Sequence, residues 1–283
     1  MPILEVSDGT ELFYNDWGTG SPVILIHGWP LNSDMWEHQQ GFLVERGFRV
    51  ISYDRRGFGR SSQPWDGYDY DTFAGDLNDL IEELDLEGVA LVGFSMGGGE
   101  VVRYLSRYGD SRVRRAVLIS AVTPYLQKTS DNPDGVDPAA FATIADSLRE
   151  DRPAFLKQFG PQFYGRSMVK HTVSEAVLEW SQMMALTGSL RATLAAADAW
   201  STTDFRPDLA AIRVPVRVIH GDSDKTVPIE SSGRLTAKLI PGATLSEYEG
   251  EPHGLYWTAS DRLNAELLEF LSAVTTSSFA PPI

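Results

Sequence analysis

A chain of 283 residues with 42% hydrophobic content is long enough to bury one large core. Its net charge of −15 argues against nucleic-acid binding, which needs a basic footprint, and repels polyanionic substrates at long range. The absence of cysteine removes disulfide stapling and thiol catalysis together.

In chain order, two strands around Leu4–Val6 and Leu12–Trp17 flank an Asp8-Gly9 turn, a hairpin signal. The apolar run Pro22-Val23-Ile24-Leu25-Ile26 reads as a strand that opens into His27-Gly28-Trp29-Pro30, where His27 braces the loop. A strand over Arg49–Tyr53 leads into Asp54-Arg55-Arg56-Gly57, whose arginines read as ion-pair and turn residues, not substrate clamps. Phe73, Leu77, Leu80, Ile81 and Leu84 share one helical face, with Tyr70-Asp71 as its start. Val89-Ala90-Leu91-Val92 is a short buried strand, Glu100–Leu105 a helix, and Ala116–Ser120 the next strand.

From about Tyr125 to Pro207 the alternation stops, and helical patterns rich in aromatics take over, punctuated by Pro133-Asp134-Gly135 and Pro161. Strands resume at Val216–Ile219 and Thr244–Tyr248. A final helix carries Leu263, Leu267, Phe270, Leu271 and Val274, and a frayed tail follows. The expected class is α/β, with a mostly parallel sheet covered by helices on both faces. Residues 1–124 and 208–275 form the core, 125–207 a helical cap insertion, and 276–283 a tail.

Gly93-Phe94-Ser95-Met96-Gly97 lies between the strand and the helix, the context of a nucleophile elbow. Glycines on both sides let neighbouring chain pass close, and the serine hydroxyl stands near a helix N-terminus that favours developing negative charge. An acid and then a histidine follow, each on a loop after a strand, which brings them to the same sheet edge. The base is His253, between Pro252 and Gly254. Asp222 and Asp224 compete for the acid role. Such a set supplies a proton acceptor for the serine and a carboxylate to fix the imidazole tautomer. Among the other histidines, His220 ends a strand as a satisfied buried residue, while His38 and His171 lack a clustered partner. No grouping has metal-ligand spacing, so no metal and no cofactor is expected.

The stretches His27–Pro30, Tyr53–Ser61, Gly93–Gly99, Thr203–Asp208, Ile219–Asp224 and Pro252–Gly254 resemble the cofactor-free haloperoxidase (perhydrolase), aryl esterase and γ-lactamase group of α/β-hydrolases. The likeness runs nearly end to end and is weakest in the middle third. It implies an eight-stranded sheet with an inserted cap, and the Asp-x-x-x-Pro spacing to Pro228 selects Asp224 as the acid, leaving Asp222 to brace its own turn. It also implies an oxyanion hole from the backbone N–H groups of Met96 and Trp29. By resemblance Phe159, Phe163 and Phe141 face the substrate. Trp29, Phe94, Met96, Val122 and Val227 flank the catalytic loops and contribute walls, and Pro30 sets where the Trp29 carbonyl points.

The implied activity is hydrolysis of small short-acyl or aryl esters through an acyl-enzyme, with water or hydrogen peroxide as acyl acceptor. The rivals are a lactonase, a γ-lactamase or a carbon–carbon-bond hydrolase using the same triad, and a receptor that retains the triad. Serine at position 95 argues against haloalkane dehalogenase and epoxide hydrolase chemistry, which resembles a carboxylate at the elbow. No basic region precedes a long apolar core, and no apolar run reaches about 20 residues, so a cytoplasmic protein without membrane contact is expected. The pattern does not decide between a monomer and a homo-oligomer.

Overall fold

The computed structural model describes residues 2–273. The chain begins with β1 (Ile3–Glu5), β2 (Glu11–Trp17), β3 (Pro22–Ile26), α1 (Glu37–Glu45) and β4 (Arg49–Tyr53). It continues through α2 (Tyr70–Glu83), β5 (Val89–Phe94), α3 (Met96–Tyr108) and β6 (Val113–Ile119). Helices α4 (Pro138–Phe163), α5 (Glu175–Thr187), α6 (Leu190–Thr202) and α7 (Arg206–Leu209) separate β6 from β7 (Val216–Gly221). Then come α8 (Gly233–Leu239), β8 (Thr244–Tyr248), α9 (Leu255–Thr258) and α10 (Ser260–Ser272). The expected Val274 and the 276–283 tail lie outside the described residues.

The eight strands form one sheet in the order β1-β2-β4-β3-β5-β6-β7-β8. The first two pairings are antiparallel and the remaining five parallel. The chain therefore turns back between β3 and β5, and loops leaving their carboxyl ends line one crevice. Alternate residues of the central strands feed opposite layers, as a side-chain period of two requires. Val23 and Leu25 join Ala90, Val92, Val117 and Ile119 on the face covered by α1 and α10. Ile24, Ile26, Leu91, Leu118 and Val218 face the layer that holds α2 and α3.

Several boundaries differ from the sequence expectation. Strand β5 runs on to Phe94 and α3 begins at Met96, leaving Ser95 alone in the turn. Glycine usually weakens a helix start, yet each here sits against a neighbour. A Cβ on Gly97 would lie 2.5 Å from the Ile26 carbonyl, and one on Gly98 would lie 2.5 Å from Ala121 Cβ. Pro161 does not break α4. The break is at Asp151 (φ −152°, ψ 85°), whose carboxylate accepts from the Ala154 N–H and starts the second half afresh. Among the described residues no helix is long and apolar enough to cross a membrane.

Two glycines give opposite expectations. A Cβ on Gly41, inside α1, meets nothing within 4 Å, so Gly41→Ala should raise the unfolding free energy by about 0.5–1 kcal/mol. Gly97→Ala forces the Ile26 and His27 carbonyls away from the elbow and should cost about 1–3 kcal/mol. Urea unfolding of both variants beside the parent checks the pair.

Candidate active site

The turn at Ser95 is held in a backbone conformation that side chains rarely adopt, with φ 53° and ψ −116°. Its N–H donates to the Ile119 carbonyl at 2.8 Å, and its carbonyl accepts from the Gly98 and Val122 amides at 3.0 and 3.3 Å. These bonds anchor the elbow to β6 on one side and α3 on the other. The side chain is only 5% exposed.

Ser95 Oγ lies 3.0 Å from His253 Nε2, and His253 Nδ1 lies 2.6 Å from Asp224 Oδ2. The second carboxylate oxygen accepts from the Thr226 and Val227 amides, both at 2.8 Å. Burial raises a carboxyl's pKa, but the charge of His253 and the contacts of the His220 and His253 rings outweigh it, so Asp224 is held well below the usual carboxylate range. The carboxylate is thus ionised and aimed, and the serine hydroxyl can donate to Nε2 while Nδ1–H points at Asp224.

Asp222 takes a wider part than a brace of its own turn. Its Oδ1 accepts from the Gly250 N–H at 2.7 Å, so it ties the acid loop to the histidine loop. The two backbones run so close that a Cβ on Gly221 would meet the Glu251 carbonyl at 2.2 Å, which accounts for glycine before Asp222. His220 also departs from expectation. Its Nε2 lies 2.9 Å from the Val227 carbonyl and 3.3 Å from Asp224 Oδ2, but its buried Nδ1 has no hydrogen-bond partner.

Loop 27–30 follows β3 and packs against the elbow, where a Cβ on Gly28 would meet the Phe94 ring at 2.6 Å. Among the described residues, the backbone N–H groups of Trp29 and Met96 donate to no other group of the chain. His27 donates from Nδ1 to the Gly28 carbonyl and accepts the Arg55 N–H at Nε2, both at 2.9 Å. Arg55 Nη2 also donates to the His27 carbonyl at 2.9 Å, and Arg55 and Glu100 form a fully buried ion pair. Tyr53 donates to the same Glu100 carboxylate. Arg56 pairs with Asp76 and Asp8, so neither arginine faces the crevice as a free clamp.

The aromatic candidates form a ladder. Phe163 and Phe94 lie 5.0 and 4.9 Å from the His253 ring, Phe159 is 5.7 Å from Phe163, and Trp29 is 6.1 Å from Phe159. Trp200, which the sequence did not single out, stands 5.7 Å from Trp29, with Phe141 5.6 Å beyond it. Phe141 is therefore separated from Trp29 by the Trp200 ring and lines a groove of about 870 Å³ between α4 and α6. Pro30, Phe159 and Phe163 line a small void of about 30 Å³ between α4 and α5. Val122 and Val227 are buried beside Ser95 and Asp224, each through a backbone N–H bond.

A family model described as the alpha/beta hydrolase fold matches residues 21–260. The chain belongs to the α/β-hydrolase family. The non-heme chloroperoxidase CPO-A1 of Kitasatospora aureofaciens is 44% identical over 96% of this chain and 100% of the relative. The bifunctional esterase/perhydrolase DCH of Acinetobacter calcoaceticus is 42% identical over 96% of this chain and 99% of that protein. The crystal structure of a bromoperoxidase from Bacillus anthracis superposes with a TM-score of 0.93 at 47% identity, covering 96% of this chain and 99% of that one. This α/β-hydrolase thus falls in the cofactor-free haloperoxidase and esterase group, and is an enzyme of the hydrolase class.

Burial, with the Arg55 charge second, lowers the His27 pKa from 6.5 to about 3. The folded chain then binds fewer protons than the unfolded chain below pH 6.5, so the stabilisation is complete above 6.5 and is lost as pH falls toward 3. His27 alone should contribute a slope of about 1.4 kcal/mol per pH unit in that window. Urea unfolding at pH 7 and pH 5 should show the parent losing about 2 kcal/mol more than His27→Gln.

Proposed function

We propose that this α/β-hydrolase is a serine carboxylesterase acting on small short-acyl or aryl esters, with perhydrolysis as a second outcome of the same acyl-enzyme. The observation that carries the reading is the chain Ser95–His253–Asp224, at 3.0 and 2.6 Å, mounted on a positive-φ turn. The relatives that bear the names of chloroperoxidase and esterase/perhydrolase support it.

In the first step Ser95 Oγ attacks the ester carbonyl while His253 Nε2 takes its proton, and Asp224 stabilises the imidazolium that forms. The free N–H groups of Met96 and Trp29 hold the oxyanion, each worth roughly 3 kcal/mol in the transition state. His253 then returns the proton to the departing alkoxide. In the second step His253 takes a proton from water, whose oxygen attacks the acyl carbon, and Ser95 leaves as the alcohol. Hydrogen peroxide in the place of water yields a peracid, which oxidises a halide ion to hypohalous acid and returns the carboxylic acid.

Helices α4–α6 serve as the cap. Phe159, Phe163 and Phe94 form the apolar wall nearest the base, with Trp29, Val122 and Val227 closing the sides, and Phe141 stands at the outer end of the ladder. The Pro30 ring fixes the local backbone and so sets where the Trp29 carbonyl points; turned toward the site, that carbonyl accepts a hydrogen bond from peroxide.

Turnover of p-nitrophenyl acetate, butyrate and octanoate, with and without hydrogen peroxide, tests the reading. Fast turnover of the short esters is expected, lost by on the order of 10⁶ in kcat in Ser95→Ala and by about 10⁴ in Asp224→Asn. Peracid should accumulate when peroxide is added. Well-folded enzyme that leaves every ester untouched but opens lactones or γ-lactams would overturn the ester assignment. For Pro30, the ratio of peroxide to water turnover should fall in Pro30→Leu; an unchanged ratio would remove the carbonyl's role.

A further inference from the structure

We infer that His220 is a positioning residue of the catalytic apparatus: its Nε2–H fastens the acid loop and holds Asp224 on the line to His253. The inference rests on the serine-hydrolase reading of the site. His220 is completely buried in the last turn-facing stretch of β7, four residues before the acid. Its Nε2 faces two acceptors, the Val227 carbonyl at 2.9 Å and Asp224 Oδ2 at 3.3 Å. A nitrogen between two acceptors carries the proton, so His220 donates to the Val227 carbonyl and keeps that N–H within 3.3 Å of Asp224 Oδ2.

The contact closes a circuit. The Val227 N–H donates to Asp224 Oδ1 at 2.8 Å, the Val227 carbonyl accepts from His220, and His220 reaches back to Asp224 Oδ2. Oδ2 is also the oxygen that receives His253 Nδ1, at 2.6 Å. The carboxylate is therefore held at Oδ1 by two amides and at Oδ2 by His253, with the His220 Nε2–H close behind Oδ2, so rotation about χ2 breaks a bond on each side. The longer contact is the weaker one, so His220 steadies Oδ2 without displacing His253 from it.

The other end of the ring shows that this orientation is imposed. Nδ1 is buried and has no partner, an arrangement that sacrifices a hydrogen bond. A Cβ on Gly233, at the start of α8, would stand 2.6 Å from that nitrogen. Glycine at 233 lets α8 press the ring toward the acid loop, and the chain accepts an unsatisfied nitrogen to keep the opposite one in place. A histidine serving only to fill the core would need no such arrangement.

The test separates reach from polarity. The side-chain amide nitrogen of glutamine sits near the position of Nε2, whereas that of asparagine reaches only as far as Nδ1. His220→Gln should keep kcat on p-nitrophenyl acetate within about threefold of the parent, while His220→Asn should lose about tenfold in kcat with KM unchanged. Gly233→Ala, which pushes the ring without altering it, should lower kcat in the same way. Urea midpoints measured alongside show whether any loss follows stability instead. Equal kcat in the glutamine and asparagine variants, or full kcat in Gly233→Ala with its fold intact, would overturn the inference. Ser95→Ala run in parallel keeps the two readings apart: activity surviving there fails the serine mechanism, whereas activity lost there but kept in every His220 and Gly233 variant fails only the role of His220.

Discussion

The positive φ of Ser95 is the constraint on which the rest of the site depends. A non-glycine residue in that region costs of order 1–3 kcal/mol, and it persists only where the surroundings over-determine it. Here they do so through close backbone approach. Gly97 admits the carbonyls that end β3, Gly98 admits Ala121, and Gly28 admits the Phe94 ring, so three separate loops converge on one turn. The same contacts that force the serine outward set the 27–30 loop beside it. The strain at Ser95 and the placement of the 27–30 loop are consequences of one packing arrangement.

Behind that loop lies a polar layer whose value is rigidity more than stability. Arg55 and Glu100 are both fully buried, and burial raises the Glu100 carboxyl while lowering the Arg55 guanidinium to about 10. A buried pair of this kind roughly balances its own desolvation. It does fix direction, because Arg55 also donates to the His27 carbonyl and its N–H is taken by His27. Asp54 adds a second anchor: it accepts from the N–H and hydroxyl of Ser33 and from Arg60, and these bonds hold its carboxyl low despite burial. The turn that follows the 27–30 loop is therefore tied to the end of β4 by charge-assisted bonds, and an apolar core could not specify its orientation so narrowly.

Much of this was legible in the sequence, for identifiable reasons. Strands β3, β4 and β8 coincide with their expected bounds, β3 as a short apolar run and β4 and β8 as short mixed segments that give way to loop residues. Ser95, Asp224 and His253 stood out because each lies in the loop that follows a strand, and the fold brings the three within hydrogen-bond distance. The start of α3 was not, since Gly97-Gly98-Gly99 reads locally as a break, and only the neighbours pressing on each glycine explain it. Pro161 misled in the other direction: it lies two residues before the end of α4 at Phe163, whereas the break falls at Asp151, just ahead of Pro153. Asp222 reaching Gly250, and Trp200 standing against Trp29, join positions far apart in the chain, and one sequence carries no signal for either pairing.

The end of α4 shows how the helical insertion and the base act as one piece. The Phe163 carbonyl, freed at the helix terminus, accepts the Gly254 N–H at 2.8 Å, next to His253. One residue on, the Tyr164 hydroxyl meets those of Ser181 and Tyr256, both at 2.6 Å, and so links α5 to α9. A Cβ on Gly254 would strike the Tyr164 ring at 2.5 Å, which leaves glycine as the residue that permits the seam. The Phe163 ring, meanwhile, stands 5.0 Å from the imidazole. The residue whose ring packs on His253 thus also holds the loop that carries it. A side-chain substitution there changes the packing against the imidazole while the backbone bond to Gly254 stays available, so ring and carbonyl bear on His253 by separate routes through one helix end.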